Sequence, residues 1–235
     1  MVRLGHWRHP SFIGQDVIKV REVDVLNPGK MISIEGVEGV GKSTLIPIVA
    51  QEVEAEGYSV IMTREPGGTE IGERVRDLLL HEHDSNIAPV TELSLMFAAR
   101  AQHLEEVIKP ALNKGCWVIC DRFTDSTYAY QGGGRQLDQT LIESIEVATI
   151  NAFQPDHTLL LDLDVELGLK RAAQTGAKDR FESENVAFFE RVRLAYLERA
   201  NQFGRVHVIS AAPPLSEVAQ SVRAWIRHII SKAKQ

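Results

Sequence analysis

The chain has 235 residues, 44% hydrophobic and 25% charged, with a formal net charge of −6. That is ordinary for a globular chain with a buried core. The negative balance counts against a nucleic-acid-binding surface but leaves room for a local cationic site, and no apolar run approaches the ~20 residues of a membrane span.

Residues 1–29 carry scattered charge, no clean period and no apolar stretch of the secretory-signal kind. They read as a loosely ordered N-terminal extension, with a short extra element packed on the core as the alternative. From residue 30 to residue 235 the pattern is that of a single domain. Met31–Glu35 reads as a buried strand, and Ser43–Glu56 as a helix closed by Gly57, with Pro47 costing one backbone bond in its early turns. A second strand over Tyr58–Thr63 leads into the turn-rich Arg64-Glu-Pro-Gly-Gly-Thr69. Helical periods follow over Glu70–Leu80 and Thr91–Asn113. Trp117–Cys120 is a third strand, Leu137–Phe153 a helix, Leu159–Asp162 a fourth strand and Val165–Ala173 a helix. Ala187–Gln202 (helix), Val206–Ser210 (strand) and Leu215–Ile230 (helix) complete the chain. Strands separated by single helices imply crossover connections: an α/β fold with a five-stranded parallel sheet flanked by helices on both faces. Cys116 and Cys120 stand too far apart along a strand to pair; both read as small core residues, or one as a free thiol, in a reducing, cytoplasmic setting.

Gly36-Val37-Glu38-Gly39-Val40-Gly41-Lys42-Ser43-Thr44 contains G-x-x-x-x-G-K-[ST], placed after a strand and opening a helix. Gly39 and Gly41 permit backbone angles that turn successive N–H groups inward. The helix start adds partial positive charge. Lys42 supplies a full charge to the β- and γ-phosphates, and the Ser43 hydroxyl a ligand for Mg²⁺. The segment announces a P-loop NTPase fold and a nucleoside triphosphate, ATP·Mg²⁺; it does not name the reaction, because switches, motors and kinases share it.

Ligands of such a sheet bind past the strand C-termini, where Arg64 and Asp121-Arg122 fall. A guanidinium grips a phosphate through two parallel hydrogen bonds, so two arginines converging there would hold a second phosphorylated ligand opposite the P-loop. Asp121 is the preferred acidic partner for Mg²⁺; Asp162 and Asp164, after the fourth strand, compete for that role.

Five stretches in this order, Ile34-Glu-Gly-Val-Glu-Gly-Val-Gly-Lys-Ser-Thr44, Thr63-Arg-Glu-Pro-Gly-Gly-Thr69, Leu95-Met-Phe-Ala-Ala-Arg100, Val118-Ile-Cys-Asp-Arg122 and Ser126-Thr-Tyr-Ala-Tyr-Gln-Gly-Gly-Gly134, resemble the thymidylate kinase family from about Lys30 to the C-terminus. The resemblance implies ATP and dTMP as substrates and a homodimer. It also implies site roles. Glu38 contacts the deoxyribose 3′-hydroxyl, and Arg64 and Arg122 hold the acceptor phosphate, with Pro66 in the same pocket. Phe97 stacks on thymine, Arg100 reads its O4 edge, and Ser126, Thr127 and Gln131 line the pocket. Tyr130 leaves no room for a ribose 2′-hydroxyl. Gly39 after Glu38 implies the branch whose transition-state arginine lies in a mobile lid, here about residues 172–185. Relatives of this branch often carry arginines where this chain has Ala173 and Thr175; the remaining cations are Arg171, Lys178 and Arg180, the last within the family's Asp179-Arg180 pair. A phosphate monoester, with its second pKa near ~6, needs no strong base, so alignment and charge stabilisation carry the reaction.

Overall fold

The computed structural model describes residues 29–81, 87–174, 180–181 and 183–234. The expected extension (all but Gly29) and the lid positions Thr175, Lys178 and Asp179 lie outside the described residues. The strands are β1 (Met31–Glu35), β2 (Val60–Arg64), β3 (Trp117–Asp121), β4 (His157–Asp162) and β5 (Val206–Ser210). The helices are α1 (Lys42–Ala55), α2 (Glu70–His81), α3 (Pro89–His103), α4 (Lys109–Asn113), α5 (Thr124–Thr127), α6 (Gln139–Ile150), α7 (Val165–Ala172), α8 (Val186–Gln202) and α9 (Leu215–Ala233).

The strands form one five-stranded sheet in the order β2-β3-β1-β4-β5, every neighbouring pair parallel. Side chains alternate across it, as a strand's two-residue period requires. Ile32, Ile34, Trp117 and Ile119 share a core with Leu45, Val49 and Val53 of α1 and Val222 and Ile226 of α9. Met31, Val118 and Cys120 pack instead with Leu93 and Phe97 of α3 and Ile142 and Ile150 of α6. Both faces are therefore covered, which is why all five residues of β1 are buried. From the central β1 the chain goes first to β2 and β3 on one side, then to β4 and β5 on the other. A topological switch point thus opens at the carboxyl end of β1, where ligands of open α/β sheets bind.

The end of α1 follows its sequence signal. Gly57, at φ +90, donates to Glu54 O at 2.9 Å, and Tyr58 N donates to Val53 O at 3.4 Å, the paired bonds of a Schellman motif. Two segments depart from expectation. The helix expected over Thr91–Asn113 widens into a π-helical turn at Leu104–Ile108 before α4, because Pro110 has no N–H for the Glu106 carbonyl and its ring crowds that position. Residues 124–134, with their triple glycine, gave no helical signal, yet form α5 and a π-helical segment over Tyr128–Gly134. The glycines there serve close packing: a methyl on Gly134 would lie 2.5 Å from the Phe188 ring, and one on Gly133 would lie 2.8 Å from the Arg191 carbonyl, both on α8.

Candidate active site

The loop from β1 to α1 takes the backbone angles that its glycines allow: φ +137 at Gly36, +72 at Gly39 and +90 at Gly41. Gly39 meets a second constraint. A methyl there would lie 2.0 Å from the carbonyl oxygen of Gly168 on α7, and a methyl on Gly168 would lie 2.7 Å from the Glu38 carbonyl. The two glycines let the loop rest on α7, and they leave no room for an arginine at position 39. Lys42 folds over the loop, with Nζ donating to Gly36 O at 3.2 Å and Val37 O at 3.4 Å. Burial, then the charge of Arg122, lower its pKa.

A cleft of about 410 Å³ joins this loop to the opposite wall. Glu38, Gly39, Gly41, Lys42, Ser43 and Thr44 line the loop side; Pro66, Arg100, Arg122, Ser126, Thr127, Tyr130 and Gln131 line the other. Arg122 takes a left-handed backbone, φ +70, rare for a side-chain-bearing residue. Its flanks hold it there: Arg122 N donates to Ile34 O at 3.0 Å, and Phe123 N to Glu35 Oε1 at 2.7 Å. The guanidinium then spans the cleft floor. Nη1 donates to Gly36 O and Tyr196 OH, both at 3.0 Å; Nη2 donates to Glu38 Oε1 at 3.1 Å and Tyr130 OH at 3.0 Å.

The sequence did not single out Glu35. It is fully buried, and its Oε2 accepts from Ser126 Oγ at 2.5 Å and Tyr196 OH at 2.9 Å. Burial, with the nearby charge of Asp125, raises its pKa to about 7. The signal available was a carboxylate ending a buried, mostly apolar strand.

Arg64 and Arg76 point in different directions. Arg64, the last residue of β2, turns to the rim, where its Nη2 pairs with Glu73 at 2.8 Å; its side chain is 55% exposed and does not line the cleft. Glu73 also accepts from Gly68 N at 2.9 Å, so this pair shapes the Pro-Gly-Gly turn. Arg76, one turn further along α2, faces the cleft instead and donates to Pro66 O at 2.9 Å. Nothing at sequence level separated it from Arg74, the other arginine of α2.

Arg100 is buried beside the cleft. Its Nε donates to Glu65 Oε2 at 2.6 Å, Nη1 to Thr127 Oγ1 at 3.0 Å and Nη2 to Phe123 O at 3.2 Å. Glu65 also meets His103 Nδ1 at 3.0 Å. Phe97 lies beneath, fully buried, its ring centroid 4.8 Å from the Arg100 guanidinium; Met96 takes the cleft surface in its place. Of the lid cations within the described residues, Arg171 lines the cleft and donates to Ala211 O at 2.9 Å. Arg180 does not line it and is bound to Glu92 of α3 at 2.6 Å.

The residues fit a magnesium ion. Asp121 Oδ1 is buried with no hydrogen-bond partner, at a strand end facing Lys42 and Ser43 across the same cleft. The competing carboxylates are engaged: Asp162 takes two bonds from Arg193, at 2.7 and 3.0 Å, and Asp164 caps α7 through Leu167 N at 3.1 Å. Among the described residues no group of three or more His, Cys, Asp or Glu could hold a metal alone.

Comparison with known proteins agrees with this geometry. The family model described as Thymidylate kinase matches residues 34–222. Curated relatives named Thymidylate kinase from Pseudomonas fluorescens (strain SBW25) and Pseudomonas entomophila (strain L48) are 50% and 51% identical over 207 residues, 88% of this chain and 99% of theirs. One from Pseudomonas savastanoi pv. phaseolicola is 52% identical over 203 residues, 86% of this chain and 97% of that relative. With a glycine-lined cradle facing an arginine-rich wall, and this identity spanning both, the chain belongs to the thymidylate kinase family.

Proposed function

We propose that the chain is an ATP:dTMP phosphotransferase that moves the γ-phosphate of ATP onto dTMP, giving ADP and dTDP, the immediate precursor of dTTP. The observation that carries this reading is Arg122. One guanidinium touches the cradle at the Gly36 carbonyl and the Glu38 carboxylate and the acceptor wall at Tyr130, so it lies between donor and acceptor phosphates.

ATP lies on Gly36–Thr44 with Lys42 on its terminal phosphates. Mg²⁺, held through Ser43 and Asp121, supplies further charge neutralisation when bound. Arg122 and Arg76 grip the acceptor phosphate, and Arg64 acts on the same loop through Glu73. Arg100, held flat by Glu65, reads the pyrimidine edge above Phe97, while Tyr130 and Glu38 close the sugar end. The acceptor phosphate is its own nucleophile, so the protein's contribution is alignment and electrostatics.

Residues 30–235 act as one kinase domain with its lid at about residues 172–185. Exposed apolar residues on adjoining helices, Ile71 and Leu78 of α2 and Val90 of α3, support a homodimer. The free cysteines Cys116 and Cys120 support a reducing, cytoplasmic setting.

An ADP-release assay across the nucleoside monophosphates tests the assignment. dTMP should be the preferred acceptor. dUMP, which lacks one methyl, should be weaker by only about 1–3 kcal/mol, and dCMP should be rejected more strongly because its donor at position four faces Arg100. Equal turnover of GMP or CMP, or ATP hydrolysis indifferent to any monophosphate, would refute it.

A further inference from the structure

Glu92 of α3 is fully buried and serves three donors. Oε2 accepts from Arg180 Nη2 at 2.6 Å; Oε1 accepts from Gln131 Nε2 at 2.8 Å and Arg135 Nε at 3.3 Å. A buried carboxylate persists only when paired and hydrogen-bonded in this way, and removing one partner leaves an uncompensated charge.

Arg180 also donates to the end of α2. Its backbone N–H donates to Leu80 O at 3.1 Å and its Nε to Leu79 O at 2.8 Å. Both acceptors lie in the last turn of α2, where carbonyls lack intrahelical partners. The next residue, Phe181, does line the cleft, edge-on to Tyr130 at 5.8 Å between ring centroids. Tyr130 in turn donates its hydroxyl to the Glu38 carboxylate at 2.7 Å. Two consecutive residues of the acceptor wall are thus held from behind, Tyr130 by Phe181 and Gln131 by the Glu92–Arg180 pair.

We propose that Glu92 and Arg180 are a positioning pair for the nucleoside monophosphate pocket. They fix the Tyr130–Gln131 wall, and Arg180 does not contact the transferring phosphoryl group. The inference rests on the reading of this cleft as a dTMP site. It separates two roles that a lid arginine could fill. An arginine that neutralises charge only in the transition state alters kcat; one that braces the acceptor pocket alters the affinity for the acceptor.

Steady-state kinetics of Glu92→Gln and Arg180→Gln, singly and combined, decide between them. Glutamine keeps the size of residue 92 but removes its charge and one of its two acceptor oxygens, setting an NH2 among the donors of Arg180, Gln131 and Arg135. Each single variant should raise KM and the calorimetric Kd for dTMP about tenfold, leaving KM for ATP and kcat within about threefold. The double variant should lose less than the sum of the two single variants, because both singles break the Glu92–Arg180 pair. A merely structural loss would lower Tm and active fraction without separating dTMP from ATP, and would overturn the proposal. So would a fall in kcat of a hundredfold or more in Arg180→Gln with KM for dTMP unchanged. Should Glu92→Gln fail to fold, Arg180→Gln alone still separates the two roles by the same split between KM and kcat. A wild-type enzyme that does not bind dTMP would refute the functional reading instead, before any variant is compared.

Discussion

The two sides of the cleft meet the same problem, an anion in a partly buried place, by different means. The donor side is backbone. On the proposed reading its anion-binding groups come from one contiguous stretch, Gly36–Thr44, with Lys42 as its cationic side chain. The acceptor side is side chain. Arg122 with Glu38, Arg100 with Glu65, and Arg180 with Glu92 are pairs formed between segments far apart in sequence. A backbone cradle tolerates variation in its x positions but not in its glycines. A wall of interlocked charges tolerates little in any member, because each partner left behind is a buried, uncompensated ion.

The contrast between the two sides should break first at Arg122. Arg122→Met should lower kcat/KM for dTMP by about 10³-fold while the Kd for a non-hydrolysable ATP analogue stays within about threefold. Equal loss of ATP-analogue binding would mean that the guanidinium belongs to the donor side.

Glu35, beneath both walls, comes next in size. Its folded pKa of about 7 lies above the ordinary 4.5, so the folded chain holds the extra proton between those values. Its contribution to stability is therefore full below pH 4.5 and lost as pH rises through 7. At about 1.4 kcal/mol per unit, the loss amounts to about 3 kcal/mol. Denaturant melts across this range should show wild type losing that much relative to Glu35→Gln; parallel curves would mean that the Glu35 carboxyl does not take up its proton on folding.

On the donor side, Gly39→Ala should cost about 1–3 kcal/mol of stability through its left-handed backbone and its contact with Gly168, with Tm falling accordingly. An unchanged Tm would show that α7 yields to the loop. The smallest effect sharpens the acceptor side. Arg76→Ala should raise KM for dTMP about tenfold to a hundredfold, the worth of a charge-assisted bond. Arg64→Ala, an exposed rim pair, should change it less than about fivefold. The reverse ranking would restore Arg64 to the phosphate.

How much of this was legible follows the same division. The cradle could be read because its geometry is local: glycines, a lysine and a helix start in one run, after a strand whose apolar period is plain. The order of strands and helices was equally readable, since each signal lies within its own segment. Of the acceptor wall, Arg122 was legible from its strand end, and the rest only where resemblance carried it. Arg64 and Arg76 differ in direction because Glu73 draws one outward, and no spacing rule encodes that pairing. Glu35, Glu65 and Glu92 looked like ordinary carboxylates because their partners lie tens of residues away. Residues 128–134 gave no helical signal because the reason for their glycines, the close approach of α8, is tertiary.

The most direct test of a side-chain wall facing a backbone cradle is a crystal structure with dTMP and a non-hydrolysable ATP analogue bound together. The γ-phosphate should lie on the amides of Gly39–Ser43 and the acceptor phosphate should face it, within hydrogen-bond reach of Arg122 and Arg76. An acceptor phosphate bound elsewhere, with both guanidinium groups turned from it, would contradict this division of the cleft.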